Sequence, residues 1–127
     1  MTNREILKIA MRQSAVDCSC TEEDFRRTEN IVVESKPSEN GSRYMALPHL
    51  CTLISYGSNI VASCRGDLVR EVESYVNGNP KIYRCFEFPA IYDLNRILQK
   101  AGAEVGGFHS YYLPDPDLVF RAELPCP

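Results

Sequence analysis

The chain has 127 residues, 44% of them apolar and 24% charged, which is the size and composition of one domain with a single core. Its formal charge is −3 with acidic and basic residues interspersed, so it lacks the basic cluster with which nucleic-acid-binding proteins contact phosphates. Its apolar runs are shorter than the roughly 20 residues of a membrane span, and its amino terminus is charged where a secretion signal needs an apolar core. We therefore expect a cytoplasmic protein that binds neither nucleic acid nor membrane.

Two capping signals predict helices near the amino terminus. Thr2 and Glu5 have the capping-box spacing, and apolar residues at helical spacing follow, which predicts a helix over about residues 3–14. The segment from Thr21 to Asp24 repeats the capping pattern and predicts a short second helix that ends near Thr28.

The stretch Leu50–Cys64 contains no charged side chain and consists of two short apolar runs around Tyr56-Gly57-Ser58-Asn59. Gly and Asn tolerate the positive φ of tight turns, so the pattern predicts a buried β-hairpin. Such a strand pair needs cover on both faces, or cover on one face and a partner on the other. Before it, the β-branched segment Ile31–Glu34 predicts a first strand, and Lys36–Arg43 has the composition of an exposed loop.

A helix is predicted directly after the hairpin. Asp67 or Gly66 is its expected N-cap, and Gly78 is its expected C-cap. Its apolar stripe consists of Leu68, Val69, Val72, Tyr75 and Val76. The short apolar segment Ile82–Phe86 that follows is interpreted as a strand or an extended link.

The last part of the chain is predicted to add one helix and one strand. Pro89 suits the first turn of a helix that Gly102 ends, and Glu104–Tyr112 is the last strand candidate. Residues 113–127 hold four of the eight prolines and are interpreted as a linker or a strap. The predicted fold is a single α+β domain, in which helices back an antiparallel sheet of about four strands with a central hairpin.

The six cysteines are expected to be free and mostly buried, since the cytoplasm keeps thiols reduced, with disulfides as the alternative. Cys18-Ser19-Cys20 is a close thiol pair, but a zinc site needs four ligands, usually as two paired clusters. Neither His49 nor His109 has a neighbouring Cys or His that would complete such a site. We therefore predict no metal site.

A thiol enzyme is a further alternative, with Cys85 as nucleophile and Glu87 and His109 as its partners. The apolar neighbours of Cys85 would raise its pKa, which favours core packing over catalysis. The glycine spacings of phosphate-binding loops and the serine elbow of hydrolases are both missing from the sequence. No residue is therefore assigned a catalytic role.

Four segments together resemble a known family. They are Glu5–Ala15, Leu53–Ser63, Cys85–Pro89 and Tyr111–Asp115. In this order they resemble the amino-terminal half of a group of bacterial GNAT-superfamily acetyltransferases, which transfer an acetyl group from acetyl-CoA to an amine. The similarity spans nearly the whole chain, and the hairpin segment is its most specific part.

The resemblance implies that the acetyl-CoA site lies in a separate acetyltransferase half. In such proteins that half carries an Arg/Gln-x-x-Gly-x-Gly/Ala loop, whose backbone N–H groups hold the cofactor pyrophosphate. No segment of this chain matches that loop, so no cofactor-binding residue is assigned here. Acetyl-CoA is expected only in an associated half, and whether this chain is a natural short protein or a fragment stays open.

The resulting expectation is a GNAT-like amino-terminal domain that shapes a substrate groove or pairs with an acetyltransferase half, and that is not catalytic alone. The alternative is a stand-alone binding module that forms homodimers. Tyr56, Asn59 and Glu87 are the candidate contacts to a substrate or partner. The competing structural roles are a turn aromatic for Tyr56, a turn former for Asn59 and a helix-start carboxylate for Glu87.

Overall fold

The computed structural model describes residues 1–40 and 49–106 and has an α+β fold, as predicted. Its helices and strands are α1 (Asn3–Asp17), β1 (Ile31–Glu34), β2 (Cys51–Ile54), β3 (Val61–Cys64), α2 (Val69–Asn77) and α3 (Ala90–Gln99). Three short 3-10 helices connect them, and these are Glu22–Arg26, Gly66–Leu68 and Ile82–Phe86. None of the helices in this part of the chain has the length and apolar composition that crossing a membrane requires.

The strands form one mixed sheet in the order β1-β3-β2. Strands β2 and β3 form the predicted antiparallel hairpin, with Cys51 opposite Cys64. Strand β1 lies parallel to β3, so the expectation of a purely antiparallel sheet is wrong. The described residues form three strands, and Glu104 to Gly106 are not a strand. The rest of the predicted fourth strand and the tail 113–127 lie outside the described residues.

Helices cover both faces of the central strand β3. Its residues Val61–Cys64 are all buried, which agrees with the absence of charge in the hairpin. Helices α2 and α3 pack against the face that bears Ala62 and Cys64. Helix α1 and the first 3-10 helix pack against the face that bears Val61. The described residues therefore form one core on each side of a small sheet.

Local hydrogen bonds define the ends of the hairpin and of α1. The Thr2 side chain accepts from the backbone of Glu5 at 3.2 Å, and the Glu5 carboxylate accepts from the Thr2 backbone at 2.9 Å, which confirms the capping box. In the hairpin turn Gly57 has φ +108°, a conformation that favours glycine. The hydroxyl of Ser55 donates to the carbonyl of Asn59 across this turn at 2.6 Å.

Three local predictions are wrong in detail. The N-cap of α2 is Leu68 rather than Asp67 or Gly66, because a 3-10 turn over Gly66–Leu68 precedes the helix. The Asp67 carboxylate instead accepts hydrogen bonds from the Arg65 side chain at 2.6 and 2.8 Å. The segment Ile82–Phe86 is a 3-10 helix rather than a strand. The second predicted helix is a 3-10 helix that ends at Arg26.

Candidate functional site

Asn59, one of the three candidate contacts, is completely buried. Its side-chain amide donates to the backbone carbonyls of Asp24 at 2.7 Å and Glu29 at 2.9 Å. These bonds tie the segment before β1 to the hairpin turn. Asn59 is therefore positioned to hold the fold together, and its burial separates it from a substrate.

Tyr56 is partly buried in the core on the α1 side of the sheet. Its hydroxyl lies 2.8 Å from the hydroxyl of Ser14 on α1, and its ring packs edge-on against Phe25 with centroids 5.1 Å apart. These contacts join the hairpin turn to α1 and to the first 3-10 helix. The contacts of Tyr56 are therefore those of a structural turn aromatic.

Glu87 is the one candidate that is exposed. It follows the third 3-10 helix, whose residues Ile82 and Phe86 pack on the α2–α3 side of the sheet. Tyr56 belongs to the core on the opposite side. The structure therefore does not bring the three predicted residues into one site.

The buried thiols are poor nucleophiles. Burial raises the pKa of Cys51 to about 12, with a contribution from the neighbouring Cys64 thiol. Burial also raises the pKa of Cys64 to about 11, with contributions from Asp67 and Glu34. A hydrogen bond with Cys20, together with burial, raises the pKa of Cys18 far above its ordinary value. These groups are neutral thiols at neutral pH, and only a thiolate attacks a substrate or binds a metal well.

Cys85 is a core residue. Its sulfur lies 3.9 Å from the carbonyl oxygen of Val76, and its own carbonyl accepts a 2.7 Å hydrogen bond from the hydroxyl of Tyr75. Burial raises the pKa of the Cys85 thiol. His109, its predicted partner in a thiol enzyme, lies outside the described residues. A hydrogen bond from the Asn79 side chain lowers the pKa of this thiol, but burial outweighs it, so the surroundings of Cys85 do not activate the thiol.

Residues 1–40 and 49–106 contain no group of three or more His, Cys, Asp or Glu side chains placed to hold a metal ion. At His49, for example, the neighbour of Nδ1 is the hydroxyl of Thr52, which lies 3.0 Å away. The close thiols Cys18 and Cys20 are likewise not joined by further ligands there.

Exposed aromatic rings form the feature that sequence reasoning missed. Tyr83 on the third 3-10 helix is 51% exposed. Phe88, just before α3, and Tyr92, in its first turn, are each 58% exposed. The rings of Phe88 and Tyr92 contact each other with centroids 4.9 Å apart. We call these three residues the aromatic surface. They are three of the five large exposed apolar residues in the described chain, and they lie on two neighbouring elements, since the third 3-10 helix packs against α3.

Two cations border the aromatic surface. The ammonium of Lys81 lies 5.9 Å from the centroid of the Tyr83 ring, and the guanidinium of Arg84 lies 5.8 Å from it. Both distances are within the range of cation–π attraction. Glu87 lies between Arg84 and Phe88 in the sequence, so the one exposed candidate belongs to this part of the molecule.

The exposure of Tyr92 could have been predicted from a helical projection of α3. The buried residues Ile91, Leu94 and Leu98 form one face of the helix, and Tyr92 lies off that face. An aromatic residue outside the apolar stripe of an amphipathic helix indicates a ring directed to solvent. Tyr83 carried no equivalent signal, because its segment Ile82–Phe86 was interpreted as a strand or an extended link. Phe88 lies between that segment and the helix predicted to start at Pro89, so no helical pattern applied to it.

Comparisons of this chain with family profiles, with curated proteins and with solved structures found no match.

Proposed function

We propose that this chain is the amino-terminal, partner-binding domain of a GNAT-type N-acetyltransferase. In this proposal it pairs with an acetyltransferase half, or contributes to the groove for its substrate, and it has no activity alone. The family resemblance of its sequence segments supports the type of protein. The aromatic surface is the structural feature that supports a role in binding a partner.

Exposed aromatic rings are suited to binding a protein. A folded monomer gains stability by burying such rings, and Tyr and Arg are among the residues that contribute most to protein interfaces. Here both rings of the Phe88–Tyr92 pair remain more than half exposed. A partner that covered this surface would bury apolar area that the folded chain leaves in water.

We also propose that the protein is cytoplasmic. Its cysteines support this location, and they support a role in binding rather than in thiol catalysis. The five cysteines of the described residues are free thiols, and the reducing cytoplasm maintains thiols in that state. The raised pKa values of Cys51 and Cys64 make them unsuited to nucleophilic catalysis at neutral pH.

The proposal is tested by reading the coding sequence past the codon for Pro127 and through the genes beside it. A downstream or adjacent segment with an Arg/Gln-x-x-Gly-x-Gly/Ala loop between a strand and a helix would support an acetyltransferase half. An immediate stop codon together with neighbouring genes that lack such a loop would contradict it.

A second candidate is a stand-alone module that forms homodimers. It is favoured by the short sheet, in which, among residues 1–40 and 49–106, β1 and β2 are both edge strands and present backbone groups that another chain could pair with. Sedimentation equilibrium distinguishes the two candidates. A chain that stays monomeric at high micromolar concentration would exclude the homodimer.

A further inference from the structure

We infer that the aromatic surface recognises an acidic segment of its partner, in which carboxylates meet Lys81 and Arg84 and apolar side chains meet Phe88 and Tyr92. This inference rests on the proposed function for the identity of the partner, the acetyltransferase half. Its chemistry follows from the charges, the exposed rings and the area of the surface.

The cations beside Tyr83 have no carboxylate partner among residues 1–40 and 49–106. Most arginines there do have one, such as Arg65, which binds Asp67, and Arg96, which binds Asp93 at 2.8 Å. Lys81 and Arg84 contact the ring of Tyr83 instead. The neighbouring carboxylates in the sequence are Glu87 and Asp93, and Asp93 is paired with Arg96. The two cations therefore outweigh Glu87, and the surface complements a negatively charged partner.

The apolar part of the surface suits a short segment rather than a large interface. Aromatic side chains present about 150–250 Å² each, so three rings that are half exposed offer on the order of 300 Å². A stable protein–protein interface buries about 800 Å² on each side. The rings therefore provide an anchor for a few residues, and the flanking cations supply the remaining contacts.

A second copy of the chain fits this surface less well. In a two-fold dimer a patch meets itself, so the net positive charge around Tyr83 would oppose a like charge. The small apolar area is also far below the roughly 2,000 Å² or more in total that obligate homodimers bury. The observations thus favour an acidic segment of a different polypeptide.

The inference is tested by titrating the 15N-labelled chain with a peptide of three Asp-Leu-Pro repeats and measuring the backbone amide NMR shifts of the chain. The matched probe carries Asn in place of every Asp. We expect the acidic peptide to shift the amide signals of residues 81–96 with a Kd on the order of 0.1–1 mM. The Asn peptide should bind at least about fivefold more weakly, since it cannot pair with the cations.

Variants assign the binding to named side chains. The double substitution Lys81→Ala and Arg84→Ala should weaken binding about fivefold or more, and Tyr92→Ala should weaken it by a similar factor. Lys36→Ala, which removes an exposed cation in the segment after β1, should leave the Kd unchanged within about twofold. The wild-type amide spectrum provides the check that each variant is folded.

Three results would overturn the inference. They are the absence of shifts over residues 81–96 at millimolar acidic peptide, equal binding of the Asn peptide, and an undiminished Kd in the Lys81→Ala and Arg84→Ala variant. These outcomes are independent of the proposed function, because the titration uses no acetyltransferase half. Binding of the peptide by a chain whose gene context lacks such a half would reject the proposed function and retain the acidic preference.

Discussion

Asn59 shows how a residue with a common turn signal can be a core residue. The Gly57–Asn59 segment correctly predicted the turn of the hairpin, because both residue types tolerate unusual φ values. The burial of Asn59 depends on the carbonyls of Asp24 and Glu29, which lie 35 and 30 residues earlier in the chain. No local sequence pattern reports that contact, so the sequence allowed a binding role that the fold does not.

Substitution of Asn59 by Ala should reduce the free energy of unfolding by about 2 kcal/mol, because the backbone carbonyls of Asp24 and Glu29 would lose the buried amide that donates to them. Urea denaturation followed by circular dichroism measures the change. Ser58→Ala is the matched control, since Ser58 is exposed in the same turn and should change stability by less than about 0.5 kcal/mol. Equal stability of the two variants would show that the Asn59 amide does not tie the hairpin to the segment before β1.

The buried thiols give a prediction for alkaline pH. An unfolded chain ionises its cysteines near pH 9, whereas folding raises the pKa of Cys51 to about 12 and of Cys64 to about 11. Below pH 9 both states keep the thiol protons, and above it the unfolded state loses protons that the folded state retains. The free energy of unfolding should therefore fall as pH rises from about 9 toward 11.

Cys51→Ala should make this decline shallower, because one thiol with a raised pKa is removed. The measurement is the free energy of unfolding from urea titrations at pH 8, 9 and 10 under reducing conditions. Ser58→Ala keeps both thiols and should show the pH dependence of the wild type. An identical decline in Cys51→Ala and the wild type would assign the effect to groups other than this thiol.

At the scale of elements, the helices could be predicted more completely than the sheet. The apolar stripes of α2 and α3 and the capping box of α1 are local patterns, and all three helices are present. The parallel pairing of β1 with β3 is not local, because it depends on which strand lies between the other two. The apolar run Ile82–Phe86 was ambiguous because a short run of this kind fits a strand or a helical turn equally well.

The two faces of α3 should respond differently to substitution. Leu94 is 5% exposed and packs in the core, so Leu94→Ala should reduce the free energy of unfolding by about 3 kcal/mol. Tyr92 is 58% exposed, and among the aromatic rings of the described residues it contacts Phe88 alone, so Tyr92→Ala should change the free energy of unfolding by less than about 1 kcal/mol. Thermal or urea denaturation compares the two variants.

A loss of about 3 kcal/mol in Tyr92→Ala would mean that this ring is needed for folding. The aromatic surface would then be a structural feature, and its use for binding a partner would lose its main support.

At the scale of the whole molecule, the candidate site could be predicted only in part. Glu87 was identified because it precedes a helix start, and it lies beside the exposed rings in the sequence. The exposure of Tyr83, Phe88 and Tyr92 depends on how the third 3-10 helix and α3 pack on the sheet, which composition and spacing do not specify. The structure thus replaces a predicted turn site around Tyr56 and Asn59 with a surface at the start of α3.

The central proposal is that this chain binds a partner and does not bind acetyl-CoA by itself. Isothermal titration of acetyl-CoA into residues 1–127 tests it most directly. We expect no heat beyond dilution at millimolar acetyl-CoA, and binding once an acetyltransferase half is joined to the chain or added to it. Tight one-to-one binding of acetyl-CoA by residues 1–127 alone would contradict the account.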